Sequence, residues 1–274
     1  MTQDERRRYL IDVLLAERED GEKIVVPEGT DDQRALLRSL MNVRPPAPVA
    51  AEALAVQDAY LAERLHERGG AVDATALSPV DAADPVFSRV ALWRGDITRL
   101  AADAIVNAAN DQMLGCFVPG HHCIDNAIHT YAGMQLRTDC ACLMAAQGHA
   151  EPTGQVKVTP AHNLPSELVF HTVGPIVQDG RLVPRDKDLL ASCYRAGLEE
   201  ATVRGLSTLS FCCISTGVFG FPQEEAARIA VRTVLDHLAH SDPRLKVIFD
   251  VFLDSDQRIY QELLDGARAA RRRA

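Results

Sequence analysis

No run of about 18 apolar residues occurs in this 274-residue chain, so no segment has the make-up of a membrane-spanning helix. The N-terminus, Met1-Thr-Gln-Asp-Glu-Arg-Arg-Arg8, lacks the apolar stretch of a secretory signal. A cytoplasmic protein without a membrane partner is expected. Positive charge is not in excess either: the formal net charge is −9, which repels a phosphate backbone and argues against nucleic acid as a partner. A small anion such as a pyrophosphate escapes that objection, because local backbone N–H groups can hold it whatever the net charge. An even, well-spaced cysteine framework is missing as well. There are seven cysteines, and Cys140/Cys142 and Cys212/Cys213 sit too close for a disulfide scaffold, so reduced thiols or metal ligands are expected. Cys193, Cys212 and Cys213 fall in apolar periodic segments and read as small core hydrophobes. With 47% apolar and 24% charged residues, wholesale disorder is excluded and a sizeable core is available.

Two composition regimes follow one another. Residues 1–68 are rich in Ala, Leu, Glu and Arg with helical periodicity. Leu10, Ile11, Leu14 and Leu15 form one apolar stripe, with Thr2 as N-cap. Thr30 is expected to cap a second helix through Leu36, Leu37, Leu40 and Met41, ending before Pro45-Pro46. A third carries Leu54, Tyr60, Leu61 and Leu65 up to Gly69-Gly70. These read as a helical N-terminal extension, and residues 69–88 read as a linker. Residues 89–274 then alternate strands with helices. Strands are expected at 90–93, 104–106, 155–159, 168–173, 208–214 and 246–252. Helices are expected at 124–132, 135–147, 187–204, 223–240 and 256–271. Such alternation predicts an α/β layered domain with a mostly parallel sheet, whose ligands lie in the loops beyond the strands' carboxyl ends.

The unusual residues fall in those loops. Trp93-Arg-Gly-Asp-Ile-Thr98 follows the first strand, and Asp96 offers a carboxylate acceptor to an exocyclic amine; an ordinary turn or cap role is the competing explanation. Asp103-Ala-Ile-Val-Asn-Ala-Ala-Asn110 ends a buried strand in two amides separated by small residues. Amides can donate to and accept from sugar hydroxyls, and Asn110 is the better contact of the two; Asn107 is evenly placed between ligand contact and turn residue. Ser215-Thr-Gly-Val-Phe-Gly-Phe-Pro222 opens a helix, and Gly217 and Gly220 let successive N–H groups converge on an anion near its terminus. It has neither the Lys of a Walker loop nor the spacing of the dinucleotide fingerprint. Phe219 packs on a ribose or tucks into the core.

The sharpest local signal is Gly115-Cys-Phe-Val-Pro-Gly-His-His-Cys-Ile-Asp-Asn-Ala-Ile-His129. Cys116, His121 and Cys123 form a Cys-x4-His-x-Cys set, with His122 an alternative to His121. Two thiolates and an imidazole suit Zn²⁺ and leave a fourth tetrahedral position open, although free thiols with surface histidines would give the same string. Cys123 falls at an expected helix N-terminus, which favours the thiolate. Asp125, in the first turn of that helix, is either a general base or a complement to the helix dipole. His129 lies four residues further on the same face.

Taken in order, Gly95-Asp96-Ile97, Asn107-Ala-Ala-Asn110, His171-Thr-Val-Gly-Pro175 and Ser215-Thr-Gly-Val-Phe-Gly220 resemble the macrodomain family over about residues 88–266. The resemblance implies a three-layer α/β/α fold with a mixed, mostly parallel sheet, and ADP-ribose as ligand. It would place the adenine amine on Asp96, with Ile97 supporting the adjoining backbone contact. The distal ribose would meet Asn110 and Phe219, and the diphosphate the loop Ser215, Thr216, Gly217, Val218, Phe219 and Gly220. Where many hydrolytic macrodomains carry a glycine-rich stretch, this chain has Cys116–Cys123. That departure is similar to the zinc-containing branch with a helical extension, linked to sirtuin-type ADP-ribosyltransferases and lipoylated carrier proteins. The resemblance thus implies a zinc-dependent hydrolase of mono-ADP-ribosylated proteins, with Asp125 activating water and Asn110 orienting. A non-catalytic ADP-ribose reader, an O-acetyl-ADP-ribose deacetylase and a purely structural zinc are the alternatives.

Overall fold

A computed structural model describes residues 1–241 and 243–273. The chain opens with three helices: α1 (Gln3–Ala16), α2 (Thr30–Val43) and α3 (Ala51–Glu67). Thr2 caps α1 in a reciprocal capping box: its Oγ1 accepts from Glu5 N at 3.2 Å, and the Glu5 carboxylate accepts from Thr2 N at 2.7 Å. Gly29, not Thr30, is the cap of α2; Thr30 is its first helical residue. Leu10, Ile11 and Leu14 of α1 pack on Leu37, Leu40 and Met41 of α2 and Tyr60 and Leu61 of α3, and this small core takes in Met134 from further along the chain.

The expected linker is not passive. It forms β1 (Val72–Asp73), and its Ala74, Val86 and Phe87 are buried in the main core. After β2 (Val90–Arg94) comes β3 (Leu100–Ala101), which pairs with β1 in a two-stranded parallel ribbon. The remaining elements are β4 (Ala104–Ala109), α4 (Ile124–Ala132), α5 (Met134–Gln147), β5 (Val156–Pro160), β6 (Leu168–Val173), α6 (Pro184–Val203), β7 (Thr208–Phe211), α7 (Gln223–His240), β8 (Lys246–Val251) and α8 (Asp254–Arg271). Six strands join in the order β2-β8-β7-β4-β6-β5, all neighbours parallel except the edge pair β5/β6. Ile105, Val106, Val169, Phe170, Leu209, Val247 and Ile248 are wholly buried, as expected of parallel strands covered by helices on both faces. The mixed α/β sheet with flanking helices is the layered fold expected from the alternation.

Parallel pairing puts the carboxyl ends of β2, β4, β6, β7 and β8 at one edge of the sheet. The segments 95–98, 110–123, 174–183, 212–222 and 252–253 therefore converge there, and they carry nearly every residue singled out above.

Candidate active site

The carboxylate of Asp125 is the centre of the arrangement. Residue 123 caps α4, which places Asp125 in the first turn, where it faces the end of β4. Asn107 Nδ2 donates to Asp125 Oδ1 at 2.8 Å, and Asn110 Nδ2 lies 3.4 Å from Oδ2. The two amides read as ligand contacts thus both hold this carboxylate. Asn107 is fully buried, and its Nδ2 also lies 3.1 Å from His171 Nδ1, so its amide is turned towards Asp125 and His171. Burial lifts the Asp125 carboxyl to about 6, against the opposing pull of the Asn107 hydrogen bond and the Arg137 charge.

An amide N–H can only donate, so His171 Nδ1 must accept and its proton sits on Nε2, which faces Thr159 Oγ1 at 2.9 Å. His171 Nε2 also lies 3.8 Å from Cys140 Sγ, and His129, Cys140 and His171 form a buried cluster of ligand-type atoms. With the proton on Nε2, His171 has no lone pair to offer there, while both ring nitrogens of the buried His129 are without a hydrogen-bond partner among the described residues. Burial lowers the His171 imidazole to about 3 and pushes His129 well below its ordinary range, so both rings are neutral.

Between β4 and α4 the chain makes the loop that carries the sulfurs. The ligand atoms of Cys116, His121 and Cys123 all lie within 4.8 Å of one another, and Cys116 Sγ is 3.4 Å from His121 Nδ1. In a tetrahedral site with Zn–S bonds near 2.3 Å, two sulfurs stand about 3.8 Å apart, so the trio has the size and chemistry to hold one zinc ion. His122 is exposed and outside the trio. Cys123 does sit at the helix N-terminus, its Sγ accepting from Asn126 N at 3.4 Å, but the expected drop in its pKa does not follow. Burial, with Cys116 and Asp125 nearby, outweighs that hydrogen bond and lifts the thiol to about 12. The loop is pinned from the core side: Asn110 Nδ2 donates to Gly115 O at 3.1 Å, and the buried Arg137 of α5 donates to Leu114 O at 2.7 Å and lies over the Phe117 ring. Gly115, at φ +81°, lies flat on the His129 ring; a Cβ there would come within 2.7 Å of it.

Further along the same edge of the sheet, Asp96 caps a short 3₁₀ turn containing the buried Ile97, its Oδ1 accepting from Thr98 N at 3.0 Å and Thr98 Oγ1 at 2.6 Å. Its Oδ2 accepts from Arg68 at 2.8 Å, and that guanidinium also covers the ring of Tyr131 on α4. Asp96 is thus a cap and an ion-pair partner, and its half-buried carboxylate is already engaged through both oxygens. Beside it, Gly95 N donates to Val251 O, and the next residue, Phe252, is 73% exposed. Sequence reasoning missed Phe252, Arg68 and Arg137. An aromatic closing an apolar strand at the ligand edge was a usable signal for Phe252; the two arginines sit in helical sequence that gives none.

Between these segments, in strand order, lies the loop after β7. Ser215 adopts φ +66°, unusual for a residue with a side chain, and turns the chain so that Phe221 N bonds back to Ser215 O at 3.0 Å. The N–H groups of Gly217, Val218 and Phe219 donate to no backbone oxygen among the described residues, while Gly220 N closes the turn on Gly217 O. Phe219 is half-buried against Ala109, Met113 and Val173, joining this loop to the asparagine strand. Pro222 is the cap of α7, which starts at Gln223.

An α/β sheet thus carries, at one strand edge, a loop with unpaired backbone N–H groups, a buried held carboxylate and a Cys/His/Cys trio. Comparison with known proteins places it more closely. The Macro domain profile matches residues 106–230. A protein of Treponema medium named protein-ADP-ribose hydrolase is 50% identical over 266 residues, 96% of this chain and 100% of that protein. One of the same name from Staphylococcus aureus strain Mu50 is 46% identical over 260 residues, 95% of each. Among solved structures, a Trypanosoma brucei macrodomain in complex with ADP-ribose matches with a TM-score of 0.64 and 32% identity, covering 82% of this chain and 94% of that one. An Oceanobacillus iheyensis macrodomain with ADP matches with a TM-score of 0.61 and 40% identity, covering 66% and 92%. The chain belongs to the macrodomain family.

Proposed function

We propose that this protein hydrolyses the bond between the distal ribose of ADP-ribose and a side chain of a modified protein, with zinc at Cys116, His121 and Cys123. The observation that carries the reading is Asp125, a buried carboxylate held by Asn107 and Asn110 two residues from that trio. The name shared by the curated relatives points the same way.

When bound, zinc supplies Lewis acidity, polarising an oxygen or lowering the pKa of water towards about 7. The chain's own groups do the rest. Asp96 accepts from the adenine amine while Phe252 stacks on the base. The free N–H groups of Gly217, Val218 and Phe219 take the diphosphate, and the N-terminus of α7 adds its partial positive charge. Anchoring at these two remote points fixes the distal ribose against Asn110 and Asp125, so binding energy is converted into orientation. Asp125 accepts a proton from water as the water oxygen bonds to the anomeric carbon and the bond from that carbon to the acceptor side chain breaks; the departing side-chain atom takes that proton back from Asp125 or one from solvent. Asn107 and Asn110 keep the carboxylate oxygens aimed. The sirtuin-linked, cytoplasmic setting and a lipoylated carrier protein as substrate are carried by the family resemblance and belong to the same proposal.

The test follows release of ADP-ribose from a mono-ADP-ribosylated protein, with calorimetry of ADP-ribose binding alongside. Release should occur, stop on chelation, return with added zinc, and fall at least about 100-fold in Asp125→Asn with binding retained. Binding without release from any substrate would make the protein a reader. Acetate release from O-acetyl-ADP-ribose alone would make it a deacetylase. Undiminished release by chelated protein and by Cys123→Ala would remove zinc.

A further inference from the structure

The loop with the metal trio has no regular secondary structure, and much of what holds it comes from far away in sequence. Arg38 and Asn42 lie one turn apart on α2, flanking the apolar Leu37, Leu40 and Met41. Arg38 Nη2 donates to the backbone oxygen of His121 at 3.2 Å. The same guanidinium donates through Nη2 and Nε to Asn126 Oδ1 at 2.8 and 3.1 Å. Asn126 gives its backbone N–H to Cys123 Sγ and its Nδ2 to Val118 O at 3.1 Å. Asn42 Oδ1 accepts from Gly120 N at 3.0 Å, and its Nδ2 donates to Thr130 Oγ1 at 2.9 Å, on the helix that begins at the trio. Arg38 therefore touches one of the three metal-type residues directly, His121 through its carbonyl, and reaches a second, Cys123, through Asn126.

We propose that Arg38 and Asn42 are positioning residues for the metal, so that the N-terminal helices set how tightly zinc is bound. The inference rests on the zinc reading above. A loop that must be ordered when the ion arrives loses backbone freedom at that moment, and the clamp from α2 takes that loss in advance. Arginine suits the task because a planar fork spans two acceptors at once, which a lysine ammonium does not do in the same fixed geometry. Removing partners that orient metal ligands typically weakens metal affinity about 10- to 100-fold.

The experiment measures Zn²⁺ affinity of the full chain by competition with a chromophoric chelator, in the wild type, Arg38→Gln, Asn42→Ala and Arg34→Gln. Arg34 lies one turn earlier on α2, and its guanidinium engages Asp31 and Glu67 instead of the loop, so it controls for general effects on the helix. Thermal melting of each metal-free variant runs in parallel. Arg38→Gln and Asn42→Ala should bind zinc about 10- to 100-fold more weakly, while Arg34→Gln should match the wild type. Wild-type affinity in both loop-facing variants would overturn the inference and leave the zinc reading standing. An equal loss in Arg34→Gln would assign the effect to helix stability and overturn it too. A wild type that binds no zinc would overturn the zinc reading itself, and the inference with it. If Arg38→Gln does not fold, Asn42→Ala alone decides.

Discussion

Replacing Gly115 by alanine puts one methyl group where the structure has no room for it. The new Cβ would stand 2.7 Å from His129 Cγ and 2.9 Å from Cδ2, against an ordinary carbon–carbon contact of about 3.5–4.0 Å, so ring and loop must separate by roughly 0.8–1.3 Å. His129 is buried on α4 with Asp125 3.6 Å away. Residue 115 also sits at φ +81°, where a side chain costs about 1–2 kcal/mol. Overpacking against the ring adds about 1–3 kcal/mol, for a total of roughly 2–5 kcal/mol. Gly120, at φ +63° with nothing within 4 Å of a built Cβ, isolates the backbone part. Urea unfolding of Gly115→Ala and Gly120→Ala at constant m-value should show the first variant less stable by the packing part, about 1–3 kcal/mol. Equal losses would refute the argument that the His129 ring is a fixed floor for the loop. Because Gly115 O accepts from Asn110, the displaced loop should also disturb the second contact of Asp125 and slow turnover.

Three further outcomes are expected. His171 titrates near 3 in the folded protein against an ordinary 6.5, so the folded form takes up a proton less readily than the unfolded chain. Acidification through 6.5 therefore withdraws stability, about 2 kcal/mol from this residue by pH 5; an NMR titration of the native ring with an inflection near 6.5 would contradict this. Asn107→Ala should lower kcat/KM about 100-fold with ADP-ribose affinity nearly unchanged, since its amide holds Asp125 instead of the ligand; a matching loss of affinity would show the residue to be a ligand contact after all. Phe252→Ala should weaken ADP-ribose binding by about 1–3 kcal/mol, roughly 5- to 150-fold, with melting unchanged because the ring is exposed; unaltered affinity would remove it from the base site.

Elements with a strong period were legible. The stripes of α1 to α3 and the apolar runs of β6 and β8 predicted their elements within a few residues, because burial of one face, or of both, writes itself into the local order of side chains. Ends were less so: α6 begins at Pro184, three residues before the expected start at Lys187, and the strand expected over 208–214 stops at Phe211 as the chain turns towards Ser215. The ribbon of β1 and β3 was invisible, since two-residue strands carry no period. At the site, residue types announced the chemistry but not their partners. That Asn107 and Asn110 both reach Asp125 depends on the register of β4 beside α4. That Asp96 is shared with Arg68 depends on where α3 ends. Contacts 28 to 88 residues apart in sequence leave no trace in a local pattern.

Tyr131 packs against the core of the three N-terminal helices and against the core of the sheet, while Met134, just beyond it, belongs to the former. Helix α4, which bears Asp125, is therefore walled on two sides by different parts of the polypeptide. A shortened version starting after Gly69-Gly70 would bare that flank: an aromatic ring, a thioether and the amide of Asn126 would meet solvent directly behind the carboxylate. Anyone trimming the chain to its sheet region for crystallisation or screening would be handling a protein whose most guarded helix has lost one wall.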